Sequence, residues 1–305
     1  MIAVCDADPS KVNSIPQSVI FIEDYRELQS KAQIDVVVIS VPNSLHYEIA
    51  KFFLDSGIDV LLEKPATLSI KEFDDLQSIA QKNNLVFVIA FHAAFAIDLI
   101  NFINLNEKLT SELKLENILG FQCNFFDPYI SDEGLLPEAI GLDCSWIDSG
   151  INALSVLGKI PWITNLKVDE SLATTIPHYK CRDIQSTVTF NFNSINSNIL
   201  SRGVINTNWG LNINYKETKL FFNNDVQIIL NHTHQKILLK RGNTNPSVIF
   251  ESTNGNMRLL NHYLGVFNDF YQHFMRHTNN LENSRQLHEL LFAPEKLNNI
   301  PTLYN

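Results

Sequence analysis

Glycine is scarce in this sequence, and the few glycines begin late. The 305 residues include 11 glycines, and the first of them is Gly57, whereas average usage is roughly 7%. Loops that bring the backbone close to a phosphate depend on glycine. The residues before Gly57 therefore contain no loop of that kind.

Cysteine, basic clusters and long apolar runs are also lacking. The four cysteines lie far apart and form no Cys-x-x-Cys pair, so we expect reduced thiols rather than a zinc site or a disulfide framework. The net charge is −10 and no Lys/Arg cluster occurs, which argues against nucleic acid as a partner. No apolar run is long enough to cross a membrane, and the first residues lack the basic and apolar regions of a signal peptide. We therefore expect a cytoplasmic protein with no bound metal and no membrane partner.

Residues 1–94 are predicted to form a doubly wound, Rossmann-type parallel sheet. Short apolar runs alternate with helical patterns, and Asp35–Ser40 shows no polar alternation, as in a strand buried on both faces. This rhythm indicates right-handed βαβ crossovers. The expected strands are 2–5, 19–22, 35–40, 60–62 and 85–91, and the expected helices are 24–30, 45–56 with Ser44 as its cap, and 67–83.

Residues 95–305 predict a second, α+β domain with an open, mainly antiparallel sheet. Alternating strands are concentrated between about residues 163 and 250, and a further strand is expected at 118–126. Helices are expected at 95–112, 146–157 and 259–277. One face of such a sheet is solvated or covered by a partner, so we expect a homo-oligomer.

Asp6 ends the first apolar run. A dinucleotide-binding sheet places at this position the acid that holds the adenosine ribose hydroxyls. Taken alone, Asp6 is equally well interpreted as a solvated turn residue.

Glu63-Lys64-Pro65 closes a strand at the carboxyl edge of the predicted sheet, where α/β proteins bind ligands. Pro65 restricts Lys64 to an extended backbone. A lysine that is partly desolvated there, beside a cationic nicotinamide ring, is expected to have a lowered pKa and to serve as a base. An ordinary surface Glu–Lys pair is the alternative.

Asp148 and Asn152 stand four residues apart in the predicted helix at 146–157. They therefore share one helix face, one turn apart. An anion beside an amide can accept from and donate to two neighbouring hydroxyls of a polyol. A helix N-cap Asp with a solvent-facing Asn is the alternative.

The stretch Asp35–Asp75 resembles the Gfo/Idh/MocA oxidoreductases. Their pattern is a buried strand, a (T/V)-P-(N/P)-x-x-H loop, a helix and then E-K-P. The sequence has Val41-Pro42-Asn43 with His46, followed by Glu63-Lys64-Pro65. The resemblance implies a bound NAD, with NADP as the other possibility. The cofactor-binding residues that it implies are Asp6, Val41, Pro42, Asn43, His46, Glu63 and Lys64.

The phrase Ile147–Ser155 is similar to the D-galactose and L-arabinose 1-dehydrogenase branch, whose signature is D-P-G-I-N-A-L-S. Asn152 stands where many other members have a histidine, and His92 falls where the branch has W-H-S-R. The resemblance implies oxidation of a sugar at its anomeric carbon to a lactone. Lys64 is then the base and Asp148 the alternative base, while Asp148, Asn152 and His92 bind the sugar.

The family begins with a strand and a G-x-G-x-x-G/A loop, whereas this sequence opens at what resembles the second strand. We therefore expect about 30 further residues upstream, which would complete the βαβ unit, and weak NAD+ binding by the 305 residues alone. Asp6 without a nearby arginine favours NAD over NADP.

Two alternatives stay open, namely a dehydrogenase for another polyol such as an inositol and a non-catalytic, cofactor-deficient remnant that binds sugar or dimerises.

Overall fold

The computed structural model describes residues 1–115, 117–175, 183–194, 200–253 and 257–297. Cys181 lies outside the described residues. The other three cysteines are free thiols, with Cys123 and Cys144 buried and Cys5 half-buried. Within the described ranges, no helix combines the length and the apolar character needed to span a bilayer.

The N-terminal part alternates short strands with helices, as predicted. The strands are β1 (Ala3–Cys5), β2 (Ile20–Ile22), β3 (Val36–Ile39), β4 (Asp59–Glu63) and β5 (Phe87–Ala90). The helices are α1 (Leu28–Lys31), α2 (His46–Asp55) and α3 (Ile70–Lys82). β3, β4 and β5 form a parallel sheet in that order, and β1 pairs with β2 in parallel. The predicted Rossmann-type parallel sheet is confirmed.

Two local predictions in this part are wrong. β3 is not buried on both faces, since Val38 is 52% exposed. The reason is that β4 alone, among the described strands, pairs with β3. Ser44 does not cap α2, because it lies inside a 3-10 turn at Asn43–Leu45 that leads directly into the helix.

The rest of the chain forms the predicted open, mainly antiparallel sheet with helices. The strands are β6 (Ile118–Phe126), β7 (Ile130–Ser131), β8 (Gly134–Leu135), β9 (Ile163–Thr174), β10 (Gln185–Ser194), β11 (Leu200–Asn208), β12 (Tyr215–Phe222), β13 (Val226–Asn231), β14 (Lys236–Arg241) and β15 (Ser247–Glu251). The helices are α4 (Ile97–Leu113), α5 (Ile151–Leu157), α6 (Arg258–Arg276) and α7 (Leu281–Leu297). The main sheet has the order β15-β14-β13-β12-β6-β11-β10-β9, and within it only β6 and β11 are parallel. Its inner face buries large aromatic side chains such as Phe125, Phe190 and Phe192.

The helix predicted at 146–157 changes its winding midway. Trp146–Gly150 is a π-helix, and α5 continues it. Gly150 is required here, because a Cβ atom on it would lie 2.7 Å from the Trp146 ring. The Trp146 indole in turn donates a hydrogen bond from Nε1 to the Leu291 carbonyl at 2.7 Å. Wide turns of this kind are frequent at functional sites, and this one carries Asp148.

The last two helices return to the N-terminal sheet. Val266 of α6 packs against Leu61, Val88 and Ala90, and α7 packs against α3 and β5. The residue Asn280, just before α7, pairs with the backbone of Ile89 through hydrogen bonds of 2.9 and 3.0 Å. The chain after residue 94 therefore helps to close the edge of the N-terminal sheet, and the predicted domain boundary at 94/95 stays a proposal.

Candidate active site

A buried ion pair joins the end of β4 to the π-helix. The Lys64 Nζ lies 2.5 Å from Asp148 Oδ1 and 3.1 Å from the Asp148 carbonyl oxygen. The two side chains are only 9% and 7% exposed. The peptide bond from Lys64 to Pro65 is cis. Two residues singled out separately in the sequence thus meet in one place.

The protonation of Lys64 differs from the sequence prediction. Burial alone lowers the pKa of the lysine, but the carboxylates of Asp148 and Glu63 outweigh burial, so the pKa is raised. The prediction of a lowered pKa counted desolvation and a cationic ring but not the Asp148 carboxylate beside the amine. Lys64 is therefore an ammonium ion at neutral pH.

Glu63 completes this group of charges. Burial raises the pKa of its carboxyl, which is also hydrogen-bonded to the Tyr263 hydroxyl of α6. The Lys64 backbone N–H donates to Glu63 Oε2 at 3.1 Å. The Glu63 side chain is therefore held in place by α6 and by its own backbone neighbour.

His46 lies behind the loop after β3 and is 1% exposed. Its Nδ1 lies 2.7 Å from the Pro65 carbonyl and its Nε2 lies 2.9 Å from the Val41 carbonyl. Burial lowers the pKa of the imidazole, although the two carbonyl groups act to raise it. His46 thus joins the loop after β3 to the loop after β4 and orients both.

The same loop is anchored to the second part of the chain. Asn43 donates from its backbone N–H to the Gly141 carbonyl and from Nδ2 to the Leu142 carbonyl, each at 3.1 Å. Gly141 has a φ of +93°, and a Cβ atom there would lie 2.9 Å from the Pro42 side chain. Val41 is half-buried beside this contact, while Pro42 is exposed.

Asp6 stands apart from these residues, at the end of β1. It is half-buried, and its Oδ1 accepts a hydrogen bond from the Asp8 backbone N–H at 2.9 Å. Its second carboxylate oxygen can accept from a ribose hydroxyl.

A second buried ion pair, which the sequence did not reveal, lies on the inner face of the main sheet. The Lys216 Nζ is 2.5 Å from Asp127 Oδ1 and 2.9 Å from Asn214 Oδ1. Ser149 donates to Asp127 Oδ2 at 2.8 Å and links this pair to the π-helix. Burial lowers the pKa of Lys216, although Asp127 acts to raise it. Lys216 lies on the same face of its strand as the buried Leu220. A lysine at a core-facing strand position was the signal that the sequence offered.

A small cavity lies between the 3-10 turn at 92–95, the main sheet, α5 and α6. The residues that line it are His92, Ala93, Ala96, Phe125, Asn152, Val156, Lys216, His232, Arg258 and His262. Two buried polar atoms of these lining residues, Asn152 Oδ1 and His262 Nε2, have no hydrogen-bond partner among the described residues. Asn152 uses its Nδ2 to donate to the Asp148 carbonyl at 3.2 Å.

Three histidines surround this cavity. His92 Nδ1 lies 3.5 Å from His262 Nδ1, and the His92 ring stacks on those of His262 and Tyr263. Burial lowers the pKa of His92 well below its usual value, and burial lowers that of His262 to about 4. His232 lies with Nδ1 2.6 Å from Asp98 Oδ2. Both rings of the His92–His262 pair are therefore neutral at pH 7.

The structure brings most of the predicted residues to one region. Lys64, Asp148 and Glu63 form one cluster, and His92 and Asn152 line the adjoining cavity. Sequence reasoning missed Arg258 and His262, which lie four residues apart on the inward face of α6. Their spacing, continued by Val266, was the available signal.

The residues present fit the nicotinamide end of a dinucleotide better than its phosphates. The loops after β3 and β4 lie at the carboxyl edge of the sheet, and Lys64 and Glu63 face the second part of the chain. Among these 305 residues, however, no glycine precedes Gly57 to allow close approach of a pyrophosphate.

Comparison with known proteins agrees with this geometry. Residues 1–91 match the model of the Gfo/Idh/MocA oxidoreductase family, described as an NAD-binding Rossmann fold. Residues 1–91 are therefore similar to this family, and their parallel sheet agrees with the Rossmann fold that its description names. The scyllo-inositol 2-dehydrogenase (NADP(+)) IolU of Bacillus subtilis is 31% identical over 106 residues, which are 35% of this chain and 31% of that protein. The aligned segments span only about a third of the length of such curated relatives.

Solved structures share the fold over nearly the whole chain. KijD10, a 3-ketoreductase from Actinomadura kijaniata in complex with TDP-benzene and NADP, has a TM-score of 0.77 at 13% identity. The superposition covers 97% of this chain and 88% of KijD10. An inositol dehydrogenase homolog from Azotobacter vinelandii, complexed with NADH and myo-inositol, has a TM-score of 0.67 at 13% identity and covers 90% and 80% of the two chains.

Proposed function

We propose that this chain takes part in the NAD(P)-dependent oxidation of a CH–OH group of a sugar, with the anomeric carbon as the reacting centre and a lactone as the product. The observation that carries the proposal is the buried Lys64–Asp148 pair, which lies at the end of a Rossmann strand, while Asn152 of the same helical segment lines the adjoining small cavity. The family match of residues 1–91 supports the redox class.

Lys64 and Asp148 handle the proton together. A bound nicotinamide supplies hydride acceptance in oxidation and hydride donation in reduction. In oxidation, the substrate hydroxyl proton passes to the pair, with the Asp148 carboxylate as its final acceptor because Lys64 is already protonated. In reduction, the Lys64 ammonium donates a proton to the carbonyl oxygen, and a proton from water, passed on through Asp148, restores the ammonium.

Asn152 and His92 orient the sugar. Asn152 Oδ1 lacks a partner among the described residues and can accept from a sugar hydroxyl. His92 is neutral and adjoins the same cavity. Asn cannot titrate, so residue 152 serves binding and not proton transfer.

Glu63, His46 and the loop Val41–Asn43 support the cofactor side. His46 and Asn43 act mainly through the backbone groups that they hold. We assign Glu63, which Tyr263 holds in place, and the exposed Pro42 to the nicotinamide ribose, and Asp6 to the adenosine ribose.

Oxidation of a ring hydroxyl is the second candidate reaction. The names of IolU and of KijD10 refer to carbons other than an anomeric one. The same Lys64–Asp148 pair serves that reaction without change, so the choice depends on how the sugar is oriented in the cavity.

We also propose that the protein is a homo-oligomer in the cytoplasm. The outer face of the main sheet carries half-buried Thr187, Asn206 and Asn124 in one row, joined by hydrogen bonds of 2.9 and 3.0 Å. Leu119 and Leu172 stand 51% and 71% exposed on the same face. Such a mixed surface is typical of the contact between subunits.

The test is a spectrophotometric assay of NADH or NADPH formation with D-galactose, L-arabinose and scyllo-inositol. Lys64→Ala should lower kcat by about 100-fold or more, the usual contribution of a proton-transferring group. Lys71→Ala, at an exposed position of α3, is the matched control. Calorimetric titration with NAD+ and NADP+ tests the alternative of a cofactor-deficient sugar-binding protein, in which sugar binds but nucleotide does not. Unchanged turnover in Lys64→Ala would remove this lysine from the mechanism.

A further inference from the structure

We infer that His288 of α7 is a positioning residue that holds the backbone beside Lys64 and thereby aims the lysine side chain at Asp148. The inference rests on the proposed function, because it takes Lys64 as the group that transfers the proton. His288 lies 222 residues after Ala66, the backbone group that it contacts. Sequence reasoning did not single it out.

The peptide group between Pro65 and Ala66 is held at both of its polar ends. The Ala66 N–H donates to His288 Nε2 at 2.9 Å, and the Pro65 carbonyl oxygen lies 2.7 Å from His46 Nδ1. A planar trans peptide group directs its C=O and N–H to opposite sides, so the two imidazoles hold it from opposite sides. The plane of the peptide group that follows Lys64-Pro65 is therefore fixed.

The hydrogen bonds of His288 define which ring nitrogen carries the proton. Its Nε2 is unprotonated, because it accepts from the Ala66 N–H. Its Nδ1 then bears the proton and donates to the Ser284 carbonyl at 2.7 Å. Burial lowers the pKa of the imidazole to about 4. The ring is therefore neutral at pH 7 and keeps the lone pair that the Ala66 N–H requires.

The surroundings of His288 are apolar. The rings of Phe73, Phe91 and Phe292 have centroids 4.9, 6.2 and 6.1 Å from that of the imidazole, which is 0% exposed. Burying a polar ring in such a core costs free energy unless the ring is hydrogen-bonded, and an aliphatic side chain would pack there without that cost. Packing alone therefore does not account for a histidine here, whereas the hydrogen bond to the Ala66 backbone does.

Small rotations of this backbone are magnified at the lysine amine. An extended lysine side chain places Nζ about 6 Å from Cα, so a backbone rotation of about 10° moves the amine by roughly 1 Å. A displacement of about 1 Å can lower a rate by about 100-fold. The Lys64 Nζ lies 2.5 Å from Asp148 Oδ1, and such a shift would weaken this contact and misplace the proton donor.

The experiment measures NADH or NADPH formation with the sugar that the wild-type chain oxidises. His288→Leu removes the acceptor, so kcat should fall about tenfold or more, while KM for sugar and nucleotide changes by less than about threefold. His288→Gln can offer its Oε1 to the Ala66 N–H and should restore kcat to within about threefold of the wild type. If His288→Leu does not fold, His288→Met replaces it, because a thioether is only a weak acceptor.

Leu287→Ala is the matched control for a general loss of stability. Leu287 belongs to the same helix, is 4% exposed and lies in the hydrophobic core. Its truncation removes packing and leaves the hydrogen bond between His288 and Ala66 in place. At a temperature where this variant is folded, its kcat should therefore stay within about threefold of the wild type.

A second measurement follows the lysine without turnover. The lysine Cε atoms are isotopically labelled for NMR, and the Lys64 resonance is identified by its loss in Lys64→Met. His288→Leu should shift or broaden this resonance, because the side chain leaves its position beside Asp148. His288→Gln and Leu287→Ala should leave the resonance close to its wild-type position.

The positioning role and the proposed function fail in different ways. An unchanged kcat or an unchanged Lys64 resonance in His288→Leu overturns the positioning role and leaves the proposed function intact. Losses in His288→Gln or Leu287→Ala as large as that in His288→Leu overturn the positioning role equally. A wild-type chain that oxidises no sugar overturns the proposed function, and the Lys64 resonance still tests whether His288 positions the lysine.

Discussion

Removing one member of the Lys64–Asp148 pair should destabilise the fold far more than removing both. Each side chain is less than a tenth exposed, so the pair is largely desolvated. Breaking such a pair from one side typically costs about 3–5 kcal/mol, because it leaves an uncompensated buried charge, whereas replacing both partners is often close to neutral. We expect about 3 kcal/mol for Asp148→Asn, since Glu63 still partly neutralises Lys64. We expect a similar loss for Lys64→Met.

The assay is urea unfolding followed by tryptophan fluorescence for the wild type, the two single variants and the double variant. A coupling free energy of about 2 kcal/mol or more between the two substitutions is expected. The Lys51–Asp75 pair is the matched control. Its Nζ–Oδ2 distance of 2.7 Å is similar, but its side chains are 38% and 42% exposed. An exposed pair should give less than about 1 kcal/mol in the same cycle.

The outcome that would refute this reasoning is simple additivity. If the two single losses sum to that of the double variant within about 0.5 kcal/mol, the side chains do not interact energetically in solution. A coupling no larger than that of Lys51–Asp75 would equally show that burial does not strengthen the contact.

Three further predictions concern the sugar, the cofactor and the pH. Asn152→Ala should lower kcat/KM for the sugar while the nucleotide Kd, measured by fluorescence, stays within a few-fold, and an equal loss of nucleotide affinity would contradict the assignment. Asp6 should repel the 2′-phosphate of NADP+, so kinetics of a nucleotide-binding form should favour NAD+, and a clear preference for NADP+ would overturn this prediction. His288 accepts a hydrogen bond from Ala66 and is fully buried, and burial lowers its pKa from 6.5 to about 4. The unfolded chain therefore binds this proton at higher pH than the folded chain, so His288 should reduce stability by up to about 3 kcal/mol as the pH falls from about 6.5 towards 4. Urea unfolding at pH 7.5 and 5 should show a smaller pH dependence in His288→Gln, and an unchanged slope would contradict this.

The sequence by itself determined the secondary-structure elements and the fold class. Unbroken β-branched runs and amphipathic helices depend on local patterns, so the parallel N-terminal sheet and the later antiparallel sheet were both predictable. The motif Glu63-Lys64-Pro65 and the Asp148–Asn152 spacing were also visible, because each lies within one short segment. Local pattern did not reveal that Val38 is exposed, since burial depends on which other segments cover a strand.

Only the tertiary structure decided how the site is charged. Lys64 and Asp148 are 84 residues apart in sequence, and the direction of the lysine pKa shift depends on that contact. Arg258 and His262 became site residues because α6 returns to the first sheet, and Lys216 because its partner Asp127 accepts a hydrogen bond from Ser149 of the π-helix. Electrostatic energies depend on distances of a few ångströms and on burial. Both quantities arise when distant segments pack together, so they were decided by the fold and not by any single segment of the sequence.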